Sequence, residues 1–291
     1  MIKNIVKFFK NRNKNKNQID EYLTLSLGQM HSKINSKLDK KNINEYEFKC
    51  FSQWGEDGII DYLIENLSIN NKTFIEFGVE NYSEANTKFL LMNRNWDGFI
   101  LDSSNENIDD IKNSDLYWRY ELTAKSNFIT RENINTILEQ SNFQKKIGLL
   151  SIDIDGNDYW VWKEIKDFDP SIVIIEYNAR FGNKKTYVVP YEKNFIRNKV
   201  HYSGIYYGAS IQALVKLGNE KGYAFVCCNK AGNNIFFVKR DLLNNKVKEL
   251  SVKDGFIKNK FRESRNEDGD LIFLTKEKEK EIIFSLPLIE V

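Results

Sequence analysis

The chain has 291 residues, of which 41% are hydrophobic and 13% aromatic, which is enough for a sizeable core and excludes a disordered chain. Lys and Arg number 43 against 41 Asp and Glu, and this near balance argues against nucleic acid as a partner. No apolar run reaches the roughly 18 residues of a membrane-spanning helix. Three cysteines without metal-binding spacing indicate a reducing compartment, so we expect a cytoplasmic protein without a zinc site.

The N-terminal segment is basic and then amphipathic. The first 17 residues carry six basic side chains and no acid, which predicts a basic tail ending in a linker at 11–17. A basic amphipathic helix that touches a membrane surface peripherally is the alternative. From about Gln18 to Lys40, apolar residues recur at three- and four-residue steps and predict an amphipathic helix. Its stripe must be buried on the rest of the chain or on another subunit, so a homo-oligomer is one expectation.

Beyond residue 50, apolar strands alternate with helices. We place strands at 73–77, 98–102, 117–122, 147–153 and 171–176, and two more at 223–228 and 234–239. Helices are predicted over about 59–67, 83–93, 131–140 and 209–220. Unbroken apolar strands between helices indicate an α/β fold whose parallel sheet is covered on both faces. We divide the chain into an N-terminal segment (1–45), a central domain (46–240) and a C-terminal extension (241–291).

The ends of the first two strands suggest a ligand site, because ligands of open α/β sheets bind beyond the carboxyl ends of the strands. Strand one ends in Glu76 and Gly78, and strand two ends in Asp102. A glycine there lets the backbone approach a nucleoside, and the acid can accept both ribose hydroxyls; alternatively, Asp102 caps the following turn. The loop lacks the further glycines of a dinucleotide site, and Glu76 and Glu80 would repel a pyrophosphate. An acidic loop suits a cationic ligand such as S-adenosylmethionine.

Four segments together resemble a known family. They are Phe-Ile-Glu-Phe-Gly at 74–78, Phe-Ile-Leu-Asp at 99–102, Leu-Leu-Ser-Ile-Asp-Ile-Asp-Gly at 149–156 and Ile-Val-Ile-Ile-Glu at 172–176. Their order and spacing resemble the motifs of class I S-adenosylmethionine-dependent methyltransferases, most of all the FkbM-type group and secondarily the macrocin O-methyltransferase group. The resemblance covers about residues 50–240. It implies a Rossmann-like, seven-stranded, mostly parallel sheet with an antiparallel last strand.

The resemblance also implies which residues contact the cofactor. They are Gln53, Glu76, Gly78, Asp102, Thr123 and Asp153. Glu76 and Gly78 would border the methionine part, Asp102 would hold the ribose, and Thr123 would lie near the adenine. Gln53 would face the methionine carboxylate or, equally, form a hydrogen bond at the start of the next helix.

The loop from Asp153 to Asp158 resembles that of metal-dependent sugar methyltransferases. Strands four and five are neighbours in that fold, so Asp155 would lie close to Glu176 and Asn178. Carboxylate and amide oxygens are ligands that Mg²⁺ prefers. Alternatively, these acids cap the next helix or bind sugar hydroxyls without a metal.

Without a metal, a base must take the proton of the acceptor. His201 and Asp158 are the candidates, and each also has a purely structural interpretation. Nearby tyrosines could stack on a sugar ring, and Arg180 and Arg197 could hold a phosphate or carboxylate.

These patterns predict a cytoplasmic methyltransferase that O-methylates a sugar or a nucleotide-linked sugar in surface-polysaccharide biosynthesis. Two alternatives stay open: an N- or O-methyltransferase of a small non-sugar metabolite, and a non-catalytic Rossmann-like binding subunit of a glycan-assembly complex.

Overall fold

The computed structural model describes the backbone of residues 2–291 and the side chains from residue 19 onward. The central sheet consists of β1 (Thr73–Phe77), β2 (Asp97–Asp102), β3 (Leu122–Ser126), β4 (Leu149–Ile152), β5 (Ile172–Glu176), β7 (Tyr223–Cys228) and β8 (Asn234–Lys239). β6 (Tyr187–Val188) and β9 (Ile289–Glu290) form a separate antiparallel pair. The strand order is β3-β2-β1-β4-β5-β8-β7, and β8 runs antiparallel to both of its neighbours. The predicted fold class is therefore confirmed.

Helices cover both faces of this sheet. They are α1 (Ile2–Asn35), α2 (Glu56–Asn66), α3 (Lys88–Arg94), α4 (Asn105–Lys112), α5 (Asp115–Arg119), α6 (Ile134–Glu139), α7 (Asp158–Glu164), α8 (Arg197–Val200), α9 (Ile211–Glu220), α10 (Val252–Gly255) and α11 (Lys276–Ser285). Successive strand residues point to opposite faces, so Phe74 packs into the core under α2 and α3 while Ile75 packs into the core under α6, α7 and α9. Because a hydrophobic core lies on each face of the sheet, side chains on both faces of the strands are apolar, and the strand sequences are unbroken apolar runs.

One strand differs from the prediction. Residues 117–122 were expected to form the third strand, but the structure has helix α5 at Asp115–Arg119 and the strand at Leu122–Ser126. The aromatic residues Tyr117 and Trp118 suggested a strand, yet Trp118 is 73% exposed. Leu122 and Ala124 are buried in β3, where they pair with β2.

Helix α1 uses only one of its faces for packing on the sheet domain. Glu21 forms an ion pair with Lys88, and Leu25 packs against the core. The predicted apolar stripe lies on another face and stays exposed; it consists of Leu23, Leu27, Met30, Ile34 and Leu38. The helix also continues through residues 11–17, so the predicted linker is wrong. The basic side chains of the first 17 residues lie outside the described side chains. No helix in the described part of the chain is long and apolar enough to cross a bilayer.

Gly78 is the point at which the chain leaves β1 and passes close to β4. Its φ is +72°, in the left-handed region, and a Cβ atom there would lie 1.6 Å from the carbonyl oxygen of Asp153. Only glycine meets both demands, because any other residue would strain its own backbone and displace the end of β4.

We therefore expect Gly78→Ala to reduce the free energy of unfolding by roughly 3–5 kcal/mol, because left-handed strain and overpacking add together. Gly222→Ala is the matched control, since Gly222 has φ +82° but no atom within 4 Å of its added Cβ. It should lose only about 1–2 kcal/mol. Urea denaturation followed by circular dichroism measures both, and equal losses would contradict the close approach.

Candidate active site

A cavity of about 660 Å³ opens beyond the carboxyl ends of β1, β2, β4 and β5. Among the described residues, its lining includes eight carboxylates: Glu76, Glu80, Glu84, Asp102, Asp153, Asp155, Glu176 and Glu263. Arg197 is the single cationic side chain among those lining residues. The cavity therefore favours a cationic or hydroxyl-bearing ligand over an anionic one.

Three carboxylates form a cluster at the tips of β4 and β5. Asp153, Asp155 and Glu176 each place one oxygen within 4.8 Å of the others. Burial raises the pKa of Glu176 well above its usual value, and the Asp155 and Asp158 charges raise it further, while Arg197 and the neighbouring Tyr207 hydroxyl oppose them. Burial and the charge of Glu176 likewise raise the pKa of Asp153. Such a cluster favours a proton or a cation held between its members.

Arg197 donates a hydrogen bond to the protein from each of its three nitrogens. Its Nη1 donates to Asp155 Oδ1 at 2.6 Å, its Nη2 to Glu263 Oε2 at 3.0 Å and its Nε to the Gly204 carbonyl at 2.6 Å. Arg180 lies outside the cavity lining and forms a buried ion pair with Glu279 at 3.1 Å. Both arginines therefore have protein partners; Arg180 has no place in the cavity lining, and anion binding by Arg197 stays a prediction that its two acidic partners oppose.

Three buried oxygens in the cavity lining have no hydrogen-bond partner: Glu176 Oε2, Asn157 Oδ1 and Asn234 Oδ1. The Nδ2 atom of each asparagine fixes the orientation of its amide, because Asn157 Nδ2 donates to the Glu192 carbonyl and Asn234 Nδ2 donates to Glu56 Oε1. All three atoms are acceptors, and a buried acceptor without a donor is costly. A ligand that donates hydrogen bonds, or a cation, would satisfy them.

Glu76 is used mainly to fix a loop. Its carboxylate accepts hydrogen bonds from the backbone N–H groups of Asn86 at 2.9 Å and Thr87 at 3.1 Å, and from the Thr87 hydroxyl. Burial raises its pKa to about 7, although these hydrogen bonds act in the opposite direction. Glu76 lines the cavity but has few acceptor positions left for a cofactor.

Asp102 stabilises the turn that follows it and also lines the cavity. It lines the cavity, and it also accepts hydrogen bonds from Glu80 N, Ser104 N and Asn107 Nδ2 at 2.9, 2.8 and 3.1 Å. A carboxylate has about four acceptor positions, so one stays open for a ribose hydroxyl. The turn-capping interpretation and the ribose interpretation are therefore compatible.

Only some of the other predicted cofactor residues line the cavity. Gly78 and Gln53 line the cavity, and the Gln53 side chain is exposed there. Thr123 does not line it, because it is the second residue of β3 and lies far from the carboxyl end of that strand. Asn127, Phe128 and Ile129 follow β3 and line the cavity instead. The sequence reading missed them because it placed this strand about five residues too early.

The predicted catalytic residues are also separated. Asp155 lines the cavity, whereas Asp158 is buried and accepts from the backbone N–H groups of Ile154 and Gly156, both at 2.8 Å. His201 is not in the lining; its Nδ1 pairs with the Ser203 hydroxyl at 2.7 Å. Neither predicted base therefore has access to the cavity in this structure.

Asn178, the third predicted metal ligand, is not among the residues that line the cavity. Its Nδ2 donates to the carbonyls of Ile205 and Tyr207, and its Oδ1 accepts from the Arg180 backbone N–H. These bonds occupy the amide, so the structure places Asp153 where the sequence suggested Asn178.

Comparison with known proteins finds similar solved structures but no family. No protein-family model and no curated protein matches the chain, whereas 118 chains of solved structures match it. One is an S-adenosylmethionine-dependent methyltransferase from Clostridium acetobutylicum, with 12% identity, a TM-score of 0.40, and coverage of 74% of this chain and 98% of that one. Another is TrmK of M. capricolum in complex with S-adenosyl-homocysteine, with 11% identity, a TM-score of 0.38 and coverage of 67% and 74%.

A third match, the pyocyanin biosynthetic protein PhzM, has 10% identity and a TM-score of 0.38 and covers 62% of this chain. The chain spans about half of that protein, 54% of its length. The fold is Rossmann-like. That assignment rests on the strand order and the antiparallel β8, and likeness at this level carries no argument about activity.

The raised pKa of Glu76 predicts a pH dependence of stability. Because its pKa rises from 4.5 to about 7 on folding, the folded state binds the proton more tightly. The contribution of Glu76 is therefore fully present below about pH 4.5 and is lost as the pH rises through 7. The free energy of unfolding of wild type minus that of Glu76→Gln should decrease from pH 4.5 to 7.5, as measured by urea denaturation. A difference that increases over this range would contradict the assignment.

Proposed function

We propose that this protein is an S-adenosylmethionine-dependent methyltransferase. The observation that carries the proposal is the acidic cavity at the strand tips, whose one lining cation is already paired. S-adenosylmethionine presents a sulfonium and an ammonium and has no phosphate, so its charge suits this lining. A dinucleotide would bring its pyrophosphate against Glu76, Glu80 and Asp102.

The cofactor would occupy the half of the cavity beside β1, β2 and β3. Gly78 lets the backbone approach it, Asp102 offers its open acceptor position to the ribose, and residues 127–129 border the space where a base would lie. When bound, S-adenosylmethionine supplies an electrophilic methyl group. The protein's own task is to hold the acceptor atom in line with that group and to take its proton.

We further propose that the acceptor is a hydroxyl group of a sugar or sugar conjugate in surface-polysaccharide assembly. The unpartnered acceptor oxygens of Glu176, Asn157 and Asn234 suit a ligand with several O–H donors. Glu176 is the best-placed base in this structure. It lines the cavity and its Oε2 has no partner, so the ionised carboxylate can accept the hydroxyl proton.

The carboxylate cluster also fits a divalent cation. Asp153, Asp155 and Glu176 offer three hard oxygen ligands within 4.8 Å of one another, the donor type that Mg²⁺ prefers. Such an ion would supply Lewis acidity that lowers the pKa of the acceptor hydroxyl. The ion pair between Asp155 and Arg197 leaves one Asp155 oxygen free for this purpose.

For the cofactor, we expect Asp102→Ala to weaken S-adenosylmethionine binding by about 1.5–3 kcal/mol, the contribution of a charge-assisted hydrogen bond. Asp110→Ala is the control, because Asp110 is an exposed acid on α4, the helix that follows Asp102, and is absent from the lining. Isothermal titration calorimetry measures both affinities. Equal affinity of folded Asp102→Ala and wild type would remove Asp102 from the cofactor site.

For the cluster, we expect Mn²⁺ to bind the wild-type protein and to lose at least tenfold in affinity in Asp155→Asn and Glu176→Gln, because each removes a charged ligand. His201→Ala should bind Mn²⁺ and turn over like wild type, since His201 lies outside the cavity lining. Electron paramagnetic resonance of free Mn²⁺ gives the affinities. Undetectable Mn²⁺ binding together with chelator-resistant turnover would reject the metal and leave Glu176 as the base.

A further inference from the structure

The C-terminal wall, which we define as residues 258–265, closes one side of the cavity. Lys260 N donates to the Ala231 carbonyl at 2.8 Å, and the backbone of Lys258 lies so close to Gly232 that a Cβ there would be 2.5 Å from its carbonyl oxygen. At the other end, Arg265 N donates to the Ser203 carbonyl at 3.1 Å. The wall is thus fixed both to the turn between β7 and β8 and to the loop after β5.

The wall carries two side chains into the cavity, Phe261 and Glu263. Phe261 stacks on Trp54, with ring centroids 6.0 Å apart and planes at 23°, and Trp54 is 44% exposed. Glu56 holds Trp54 close to Asn229 and Asn234, because its carboxylate accepts hydrogen bonds from Trp54 N and from the side-chain amides of both asparagines. An aromatic pair at the mouth of a polar cavity offers a flat apolar face beside hydrogen-bonding groups.

Sheet order places this pair in the half of the cavity away from the proposed cofactor. Asp102 ends β2 on one side of the sheet, whereas Glu176 ends β5 and pairs in register with Asn234 of β8. Trp54 and Phe261 therefore share their half with the two unpartnered oxygens of Glu176 and Asn234.

We infer that the Trp54–Phe261 pair, with Glu176 and Asn234, forms an acceptor subsite for an uncharged polyhydroxylated ring. The inference rests on the proposed methyl transfer only where it calls the ring an acceptor. Binding of the ring itself does not depend on that proposal. The aromatic pair takes the C–H face of the ring, and its hydroxyls donate to Glu176 Oε2 and Asn234 Oδ1.

The charge of the cavity lining favours neutral rings over anionic rings. Arg197, the one lining cation among the described residues, is already paired with Asp155 and Glu263, so its charge is offset before a phosphate or carboxylate binds. Arg180 lies outside the lining with its guanidinium 5.3 Å from the Phe261 ring centroid, and its charge is paired with Glu279. An anionic ring would instead meet Asp155, Glu176 and Glu263. In a nucleotide-linked sugar, the phosphates would have to lie outside this subsite.

The test uses the full-length protein with methyl glycosides of neutral hexoses, the matching hexuronic acids and hexose 6-phosphates. Saturation-transfer NMR measures ring binding, calorimetry measures S-adenosyl-homocysteine binding, and transfer of labelled methyl groups measures turnover. Neutral rings should bind best, and Trp54→Ala and Phe261→Ala should weaken their binding about tenfold while leaving S-adenosyl-homocysteine affinity unchanged. Trp54→Phe keeps a ring in the stack and should retain most of the binding.

Trp118→Ala and Phe273→Ala are the matched controls, since both rings are more exposed than Trp54 and neither lines the cavity. Preference for anionic rings, unchanged binding in folded Trp54→Ala and Phe261→Ala, or no ring binding by a protein that binds S-adenosyl-homocysteine would overturn the subsite. Ring binding that depends on both aromatic residues, in a protein that does not bind S-adenosyl-homocysteine, would support the subsite and reject the methyltransferase proposal.

Discussion

Buried carboxylates that accept backbone N–H groups hold the whole functional edge of this protein. The loops at that edge have no strand partner, so their amides need other acceptors. Asp57 accepts from Cys50, Phe51 and Ser52 N, and Glu56 accepts from Trp54 and Gly55 N. Glu76, Asp102 and Asp158 do the same for the loops after β1, β2 and β4.

This constraint divides the acids of the cavity edge into two kinds. Asp158 and Glu76 have most of their acceptor positions filled by the loops that they fix, so their substitution would change loop geometry before chemistry. Glu176 keeps a buried oxygen without a donor, and Asp153 and Asp155 lie beside it. Because unsatisfied buried acceptors cost stability, their retention at a cavity is a reason to assign function there.

The sequence predicted the fold well because burial on both faces leaves a local signal. Strands 73–77, 223–228 and 234–239 were placed to the residue. β3 was misplaced because it is an edge strand with few buried side chains, and the exposed aromatics before it suggested a strand. Because this strand was misplaced, the predicted site did not include Asn127, Phe128 and Ile129.

The site was harder to predict, because hydrogen-bond partners decide what each acid does. Asp155 and Asp158 look equivalent in the sequence, yet one is 61% exposed at its side chain and the other is buried by its own loop. The C-terminal wall gave no signal, since Phe261 meets Trp54 across more than 200 residues of chain.

Those long-range contacts also determine the charge of the site. Glu263 reaches Arg197 from the wall and, with Asp155, offsets the charge of the one cation that lines the cavity among the described residues. An arginine in an acceptor loop suggests anion binding when the sequence is read alone. Once both of its acidic partners are known, the same arginine leaves the described lining with an excess of carboxylates, because one cation only partly offsets them, and neutral and cationic ligands remain favoured.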